Sequence, residues 1–235
     1  TDDAGHEATL TYSLQVTDLN EAPTAIALSA TAIDENAAGA VVGTLTTTDV
    51  DAGDSHTYAL SGTDAASFEV VNGQLKLKDS VTANYETQSS YSVTVTATDS
   101  GSLTTTQDFT VNVNNLNDAP TLVNAIADQN VDEDSALSFT VPADAFNDED
   151  GDTLTYTATL SDGSALPSWL SFDAATQTFS GTPLNGDVGS ITVEVTATDT
   201  AGLAINDTFT ITVANTNDTP RSEEHTSELQ SHLNL

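Results

Sequence analysis

Short groups of aspartate, glutamate and asparagine residues recur along the chain, and their shared chemistry is that of oxygen ligands. One group lies in NLNDAP (115–120), a second in FNDEDGD (146–152), and a third ends VTATD (195–199). Calcium takes about six to eight oxygen ligands from carboxylates, asparagine side chains and backbone carbonyls. No single group supplies so many, so we expect a linker and the domain that follows it to pool them. The members of this predicted set are Asn115, Asn117, Asp118, Asp148, Asp150, Asp152 and Asp199.

The balance of charge favours cation binding and argues against several other partners. The 235 residues include 36 aspartates and glutamates but only 3 lysines and arginines, for a formal net charge of −33. Phosphate backbones and anionic lipid surfaces repel such a chain, so we expect no nucleic-acid partner. Acids that served only solubility in salt would be scattered, whereas these are clustered and periodic. The clusters therefore favour calcium sites over a purely solubilising role.

Other residue types restrict the function further. Cysteine is absent, so the domains must fold without disulfides or thiolate metal sites. No apolar run approaches the roughly 20 residues of a membrane-spanning helix, so no direct membrane insertion is expected. His6 and His56 lie far apart in the repeat with no nucleophile beside them, so we predict that the chain is not an enzyme. Trp169 lies among the apolar residues of LPSWLSFD (166–173), which favours core packing over sugar stacking.

Three segments of the chain align with one another without a gap. They are residues 1–23, 98–120 and 198–220, and each opens with Thr-Asp and ends with proline. Successive copies are 97 and 100 residues apart, which is the size of one β-sandwich domain. The predicted divisions are the C-terminal strand of a preceding repeat (1–20), a complete domain (21–117), a second complete domain (118–217) and the start of a further linker (218–220).

The last segment, RSEEHTSELQSHLNL (221–235), differs from everything before it. It contains the only arginine, Arg221, and has neither the alternation nor the acidic turns of the repeats. Its sequence closely resembles the translation of a common short-read sequencing adapter. We therefore interpret 221–235 as adapter-derived and disordered, and we exclude it from the functional argument.

The elements that position the acidic groups are predicted to be strands. Paired segments such as 91–99 and 108–115 alternate apolar and polar side chains with a period of two. Residues 25–33 are predicted to form one strand, and Asn72-Gly73 to form a two-residue hairpin turn. Short strands at regular spacing, separated by polar turns, predict an all-β fold of tandem Greek-key β-sandwich domains in a linear array.

The order and spacing of the motifs resemble those of a known family. The middle repeat is similar to a cadherin domain in the motifs DEN (34–36), TDVDAGD (48–54), NYE (84–86) and VTATDSG (95–101). The third repeat resembles the dystroglycan-type cadherin-like domain of bacterial surface proteins in DEDS (132–135), FNDEDGDTLTY (146–156), LPSWLSFD (166–173) and TFSGTP (178–183). The resemblance implies sandwich domains whose junctions bind calcium.

Carried over position by position, the resemblance implies two ligand sets. For the junction between the two complete domains the implied ligands are Glu35, Glu86, Asn115, Asn117 and Asp118 from one side, and Asp148, Asp150 and Asp199 from the other. For the preceding junction they are Asp18, Asn20 and Glu21, together with Asp49, Asp51 and Asp99. Asn84 and Asn115 replace aspartates of the cadherin pattern, and Glu21 stands where aspartate is usual. Because the asparagines lower the ligand charge, we expect fewer or weaker sites than in cadherins.

The combined prediction is a calcium-rigidified adhesive spacer in a large bacterial protein that is secreted or held at the cell surface. Its partners would be calcium and the neighbouring repeats of the same chain. Without cations the crowded carboxylates repel one another, and binding would neutralise them. Two alternatives stay open: a module that binds a cell-surface glycan or protein, and an accessory region of a large secreted enzyme.

Overall fold

The computed structural model describes Ala4 and residues 9–217, which divide into two compact units. Unit 1 is Thr1–Leu116 and unit 2 is Asn117–Leu235. The predictions for 218–220 and for the adapter-like segment 221–235 fall outside the described residues. Within the described part of the chain, no helix is long and apolar enough to cross a membrane.

Unit 1 is built from two four-stranded sheets. Its strands are β1 (Ala25–Leu28), β2 (Ala32–Asp34), β3 (Val41–Thr48), β4 (Thr57–Ser61), β5 (Phe68–Val71), β6 (Gln74–Leu77), β7 (Ser90–Thr98) and β8 (Thr104–Asn114). One sheet has the order β1-β3-β6-β5 and the other the order β2-β8-β7-β4. The short β2 runs parallel to β8, whereas the remaining ladders are antiparallel. A 3-10 turn, Ala65–Ser67, leads into β5.

Alternation along the strands sorts the side chains of unit 1 between core and solvent. In β7, Tyr91, Val93, Val95 and Ala97 are buried, and the residues between them are exposed or half-buried. Branched apolar side chains suit this pleated surface, where successive residues point to opposite faces. Leu75 of the other sheet is fully buried in the same cluster, so the two sheets enclose one core.

The hairpin between β5 and β6 confirms the prediction made from its turn residues. Asn72 has a φ of 51° and Gly73 a φ of 75°. A two-residue turn with both central residues at positive φ has a twist that matches the flanking strands, and Asn-Gly is the preferred pair for it. The turn fixes the register, which places Val71 opposite Gln74.

The segment 25–33 is not the single strand that its alternation predicts. It forms β1 and β2, which lie in different sheets. At the break, the hydroxyl of Ser29 accepts a hydrogen bond from the backbone N–H of Thr44 at 2.9 Å. A serine side chain that binds backbone in this way competes with the ladder, so the chain can leave one sheet and join the other.

Residues 9–20, predicted to be the last strand of a preceding repeat, form no strand. Their alternating apolar residues Leu10, Tyr12, Leu14 and Val16 are 72–89% exposed. A strand requires a partner for its backbone N–H and C=O groups, and none of the described residues forms a strand ladder with this segment. Its assignment to another repeat stays a prediction.

Unit 2 contains a larger sheet and two smaller ones. Its strands are β9 (Thr121–Leu122), β10 (Gln129–Asp132), β11 (Leu137–Thr140), β12 (Phe146–Asn147), β13 (Thr155–Leu160), β14 (Leu170–Asp173), β15 (Thr178–Gly181), β16 (Gly189–Thr198) and β17 (Ala204–Ala214). The sheet orders are β10-β17-β16-β13, β11-β15-β14 and β12-β9. A 3-10 turn, Asn185–Asp187, precedes β16.

The core of unit 2 is aromatic at its centre. Phe179 and Phe209, both fully buried or nearly so, meet edge to face with ring centroids 5.6 Å apart. Val193 and Ile211 are fully buried beside them, and the half-buried Trp169 packs against the same cluster. The prediction of tandem all-β sandwich domains is confirmed.

Candidate cation sites

The acidic loop of unit 2 lies between β12 and β13 and contacts the start of the unit. The carboxylate of Asp150 accepts a hydrogen bond of 2.6 Å from the backbone N–H of Asp118. Within the loop, Asp148 accepts the backbone N–H of Asp152 through Oδ1 at 3.2 Å. Gly151, at a φ of 76°, makes the tight turn between these acids. Residues separated by about thirty positions in sequence are thereby brought into one group of oxygens.

Asp199 follows the end of β16 and is held by donors on both of its oxygens. Oδ2 accepts the side-chain amide of Asn117 at 2.8 Å, and Oδ1 accepts the backbone N–H of Leu203 at 2.8 Å. The Asn117 hydrogen bond is the main cause of a pKa below the usual range for this carboxyl, with the backbone N–H of Leu203 adding to it against the effect of desolvation. Asp199 therefore stays ionised although only 5% of its surface is exposed.

Asp148 is a carboxylate whose surroundings fit a bound cation. It is 8% exposed, and its Oδ2 is buried with no hydrogen-bond partner in the described structure. A buried acceptor without a partner costs about 1–3 kcal/mol, and more when it is charged. Residues 117–217 include no lysine, arginine or histidine, so unit 2 has no basic side chain in that range to neutralise it. A divalent cation bound by the carboxylate oxygens would neutralise it.

Unit 1 repeats the same contacts with its own residues. The side-chain amide of Asn20 donates to Asp99 Oδ2 at 3.0 Å, as Asn117 does to Asp199. The backbone N–H of Glu21 donates to Asp51 Oδ2 at 2.8 Å, as that of Asp118 does to Asp150. The two units therefore hold the segment that leads into them in the same way.

Two groups of carboxylates in unit 1 could hold a metal ion. In each group, one oxygen from every member lies within 4.8 Å of the others. The groups are Asp18, Glu21 and Asp51, and Asp49, Asp54 and Asp99. Desolvation, followed by repulsion from Asp51 and Asp18, raises the pKa of Glu21, as expected where carboxylates crowd without a counter-ion. In contrast, the backbone N–H of Asp51 and the ring of His56 lower the pKa of Asp49.

A buried glutamate anchors the far end of unit 1. Glu35 is 1% exposed, and its two oxygens accept the backbone N–H groups of Leu116 at 2.6 Å and of Tyr85 at 2.7 Å. Asn115 donates to Glu86 at 3.2 Å. Glu35, Glu86 and Asn115 are thus gathered where β8 ends and the linker begins.

The predicted junction set divides between the two units. Glu35, Glu86 and Asn115 belong to unit 1, and Asn117, Asp118, Asp148, Asp150 and Asp199 belong to unit 2. Within unit 2, the structure joins Asn117 to Asp199 and Asp118 to Asp150. The use of these residues as metal ligands stays a prediction.

Two acids that sequence reasoning did not select have the same character. Glu133, which follows β10, is 1% exposed and accepts the backbone N–H of Thr216 at 2.7 Å and the amide of Asn215 at 2.9 Å. Asp54 shares a carboxylate group with Asp49 and Asp99. The available signal was internal: DED (132–134) occupies in the third repeat the place of DEN (34–36) in the second, so Glu133 corresponds to Glu35.

The Cadherin domain family matches residues 29–114, and the family described as "Putative Ig domain" matches residues 119–214. The "Serine-rich adhesin for platelets" of Staphylococcus aureus strain USA300 is 38% identical over 118 residues, and so is that of strain MRSA252. The match takes in 50% of this chain but only 5% and 8% of those two proteins, so the chain spans a small part of their length.

Among solved structures, human protocadherin-24 EC1-2 (form II) has a TM-score of 0.59 at 21% identity, covering 83% of this chain and 100% of that one. Protocadherin gamma B2 domains 1–5 has a TM-score of 0.57 at 20% identity, covering 85% of this chain and 42% of that one. These structures share the fold. With a match to the Cadherin domain family at 29–114 followed by a match to the "Putative Ig domain" family at 119–214, the chain resembles cadherin-like tandem repeat proteins.

Proposed function

We propose that this chain is a calcium-binding repeat region of a large bacterial adhesin, secreted or displayed on the cell surface, and that it serves adhesion without catalysis. The observation that carries the proposal is the buried, unpaired Oδ2 of Asp148, in a unit whose residues 117–217 offer no basic side chain to neutralise it. The similarity to a staphylococcal adhesin for platelets supports the adhesive part of the proposal.

The residues that would hold calcium in unit 2 are Asp148, Asp150 and Asp199, with Asn117 and Asp118 of the linker. Calcium would supply positive charge and accept the oxygen lone pairs that hydrogen bonds leave free. The protein's own part is to keep the carboxylates ionised and close together. Asn117 does this at Asp199, where its hydrogen bond lowers the pKa.

The same residues suggest how calcium would stiffen the repeat. Asn117 and Asp118 are linker residues, and both are tied by hydrogen bonds to acids of unit 2. In calcium-free protein, repulsion among those acids opposes these contacts. We expect bound calcium to remove the repulsion and to fix the linker, and a spacer needs this rigidity.

Thermal unfolding of unit 2, followed by the fluorescence of the single tryptophan, tests the proposal. Extracellular calcium modules bind with dissociation constants of about 10⁻⁴–10⁻³ M. At about 10 mM calcium, mass action then stabilises the folded state by about 1.4–2.7 kcal/mol. For a domain of this size, we expect the melting temperature to rise by about 5 °C or more over that in chelator. An unchanged melting temperature would refute calcium binding.

A matched pair of variants separates the loop from general charge effects. Asp150→Asn removes one negative charge from the loop, and Asp162→Asn removes one from an exposed turn, where Asp162 is hydrogen-bonded to Ser164. Only Asp150→Asn should reduce the calcium-induced rise. Small-angle scattering of the whole chain should in addition show a narrower spread of dimensions with calcium than with chelator.

The alternative of glycan recognition has no support from the tryptophan that would have favoured it. Trp169 is half-buried and packs against the core of unit 2 together with Leu166 and Phe172. Its ring therefore contributes to folding, as its apolar neighbours predict.

A further inference from the structure

The acidic loops of the two units match in sequence but leave different carboxylate oxygens unpaired. Loop 1 is DVDAGD (49–54) and loop 2 is DEDGD (148–152). Their first acids are Asp49 and Asp148, and their last acids are Asp54 and Asp152. In loop 2 the buried oxygen without a hydrogen-bond partner is Oδ2 of Asp148, the first acid. In loop 1 it is Oδ2 of Asp54, the last acid.

The first acids differ because of one neighbouring residue. In unit 1, Nε2 of His56 lies 3.0 Å from Oδ2 of Asp49, and both side chains are largely buried, at 11% and 4% exposure. The position corresponding to His56 is Leu154 in unit 2, where the motif HTY becomes LTY. Leucine has no donor, so the equivalent oxygen of Asp148 keeps no partner.

At the last acids the difference is reversed, because the oxygen is paired in unit 2 and unpaired in unit 1. Asp152 Oδ2 accepts both the hydroxyl and the backbone N–H of Thr200. Asp54 accepts the hydroxyl of Ser100 through Oδ1 only, which leaves Oδ2 unpaired. One oxygen of Asp54 also lies within 4.8 Å of oxygens of Asp49 and Asp99.

We propose that the two loops use different aspartates as their principal charged ligand for calcium, Asp54 in loop 1 and Asp148 in loop 2, and that His56 causes the exchange. The inference rests on the proposed function, that these loops bind calcium. A buried carboxylate oxygen without a partner gains most from a cation, because the cation removes a desolvation cost that no hydrogen bond offsets. An oxygen that already accepts an N–H gains less, since it must share its lone pairs.

Four single variants in the full chain test the exchange. Asp49→Asn, Asp54→Asn, Asp148→Asn and Asp152→Asn each remove one charge and keep the side-chain shape. Calcium titrations followed by NMR at the backbone amides of Gly53 and Gly151 report on each loop separately. We expect Asp54→Asn to weaken calcium binding at loop 1 about tenfold, and Asp49→Asn about threefold or less. At loop 2, Asp148→Asn should weaken calcium binding more than Asp152→Asn does.

His56→Leu tests the cause, because it gives loop 1 the residue of unit 2. In that background, the loss caused by Asp49→Asn should grow to about tenfold. Gln88→Leu is the matched control. It also removes a side-chain donor from an aspartate of unit 1, Asp64 at 3.2 Å, but away from the loop. It should leave the order of the two loop variants unchanged.

The outcomes distinguish this inference from the proposed function. If calcium moves neither amide in the unaltered protein, the proposed function fails and the inference fails with it. If both loops bind calcium but the first acid dominates in each, or if His56→Leu leaves the order unchanged, only the inference fails. The dispersion of the calcium-free NMR spectrum checks that each variant is folded. Where an asparagine variant is unfolded, a serine variant at the same position replaces it in the comparison.

Discussion

Carboxylates of the same residue type and similar burial differ in the donors they meet. Asp199 has a donor on each oxygen, whereas Asp148 has one oxygen unpaired. Sequence motifs predict that both residues belong to the acidic group. They do not predict the pairing, because the decisive donor, Asn117, is 82 positions away from Asp199 in the chain. Contacts at that separation depend on how the strands are arranged, which the motif alone does not specify.

The lowered pKa of Asp199 predicts a dependence of stability on pH. A carboxyl with a lower pKa in the folded state than in the unfolded state contributes stability above its unfolded pKa, about 4. That contribution is lost as the pH falls through the folded value. In chelator, the difference in unfolding free energy between the unaltered protein and Asp199→Asn should therefore shrink as the pH falls from about 5 towards 2.

Urea unfolding followed by Trp169 fluorescence at a series of pH values measures this difference for unit 2. A difference that stays constant across the series would contradict the assignment of Asn117 as the group that holds Asp199 ionised.

The buried glutamates show what motif reasoning misses at a single position. The cadherin-like motif assigns a ligand role to Glu35 but not to Glu133, although Glu133 is equally buried and likewise accepts a backbone N–H from just beyond the last strand of its unit. Burial of a charged residue is hard to foresee from sequence, since glutamate is rarely buried unless it is paired. Alignment of the repeats with one another was the information that could have identified Glu133.

At the scale of elements, alternation was a good guide to strands and a poor guide to which sheet they join. The hairpin at Asn72-Gly73 and the long strands β7 and β8 follow the predicted pattern. The alternation of 25–33 continues across the break between β1 and β2, so it did not reveal the change of sheet. At the break, Ser29 makes a side-chain to backbone hydrogen bond, which has no signature in hydrophobic periodicity.

The three-stranded sheet of unit 2 contains a glycine at a position where the packing leaves no room for a side chain. A Cβ added to Gly181, at the end of β15, would overlap the backbone carbonyl oxygen of Trp169. Gly181→Ala should therefore destabilise unit 2 by about 1–3 kcal/mol, the usual cost of overpacking. Urea unfolding of unit 2 measures the loss.

Gly186→Ala is the control, because a Cβ at Gly186 would meet nothing within 4 Å. Equal effects of the two substitutions would show that glycine flexibility, and not the close approach to Trp169, determines the cost.

At the scale of the whole molecule, the net charge of −33 makes stability sensitive to salt. Screening extends over about 10 Å at 0.1 M salt and shortens as salt is added. In chelator, raising sodium chloride from about 20 mM to about 500 mM should raise the melting temperatures of the chain. With calcium bound, the rise should be smaller, because the most crowded carboxylates are already neutralised. Differential scanning calorimetry measures both.

Potassium chloride should have the same effect as sodium chloride, because screening depends on ionic strength. A response confined to one of the two salts would point to specific monovalent binding and would contradict the screening explanation.

The absence of basic residues from 117–217 has a consequence for proteolysis. Enzymes that cleave after lysine or arginine find no target from Asp79 to Pro220, so they cannot cut within that stretch even when unit 2 unfolds. In the preceding residues the cleavage sites for such enzymes are Lys76 and Lys78. Lys76 lies within β6 and pairs with Asp79 and Glu69, and Lys78 follows that strand directly. A surface protein made of such repeats would resist trypsin-like enzymes by composition, independently of how stably it is folded.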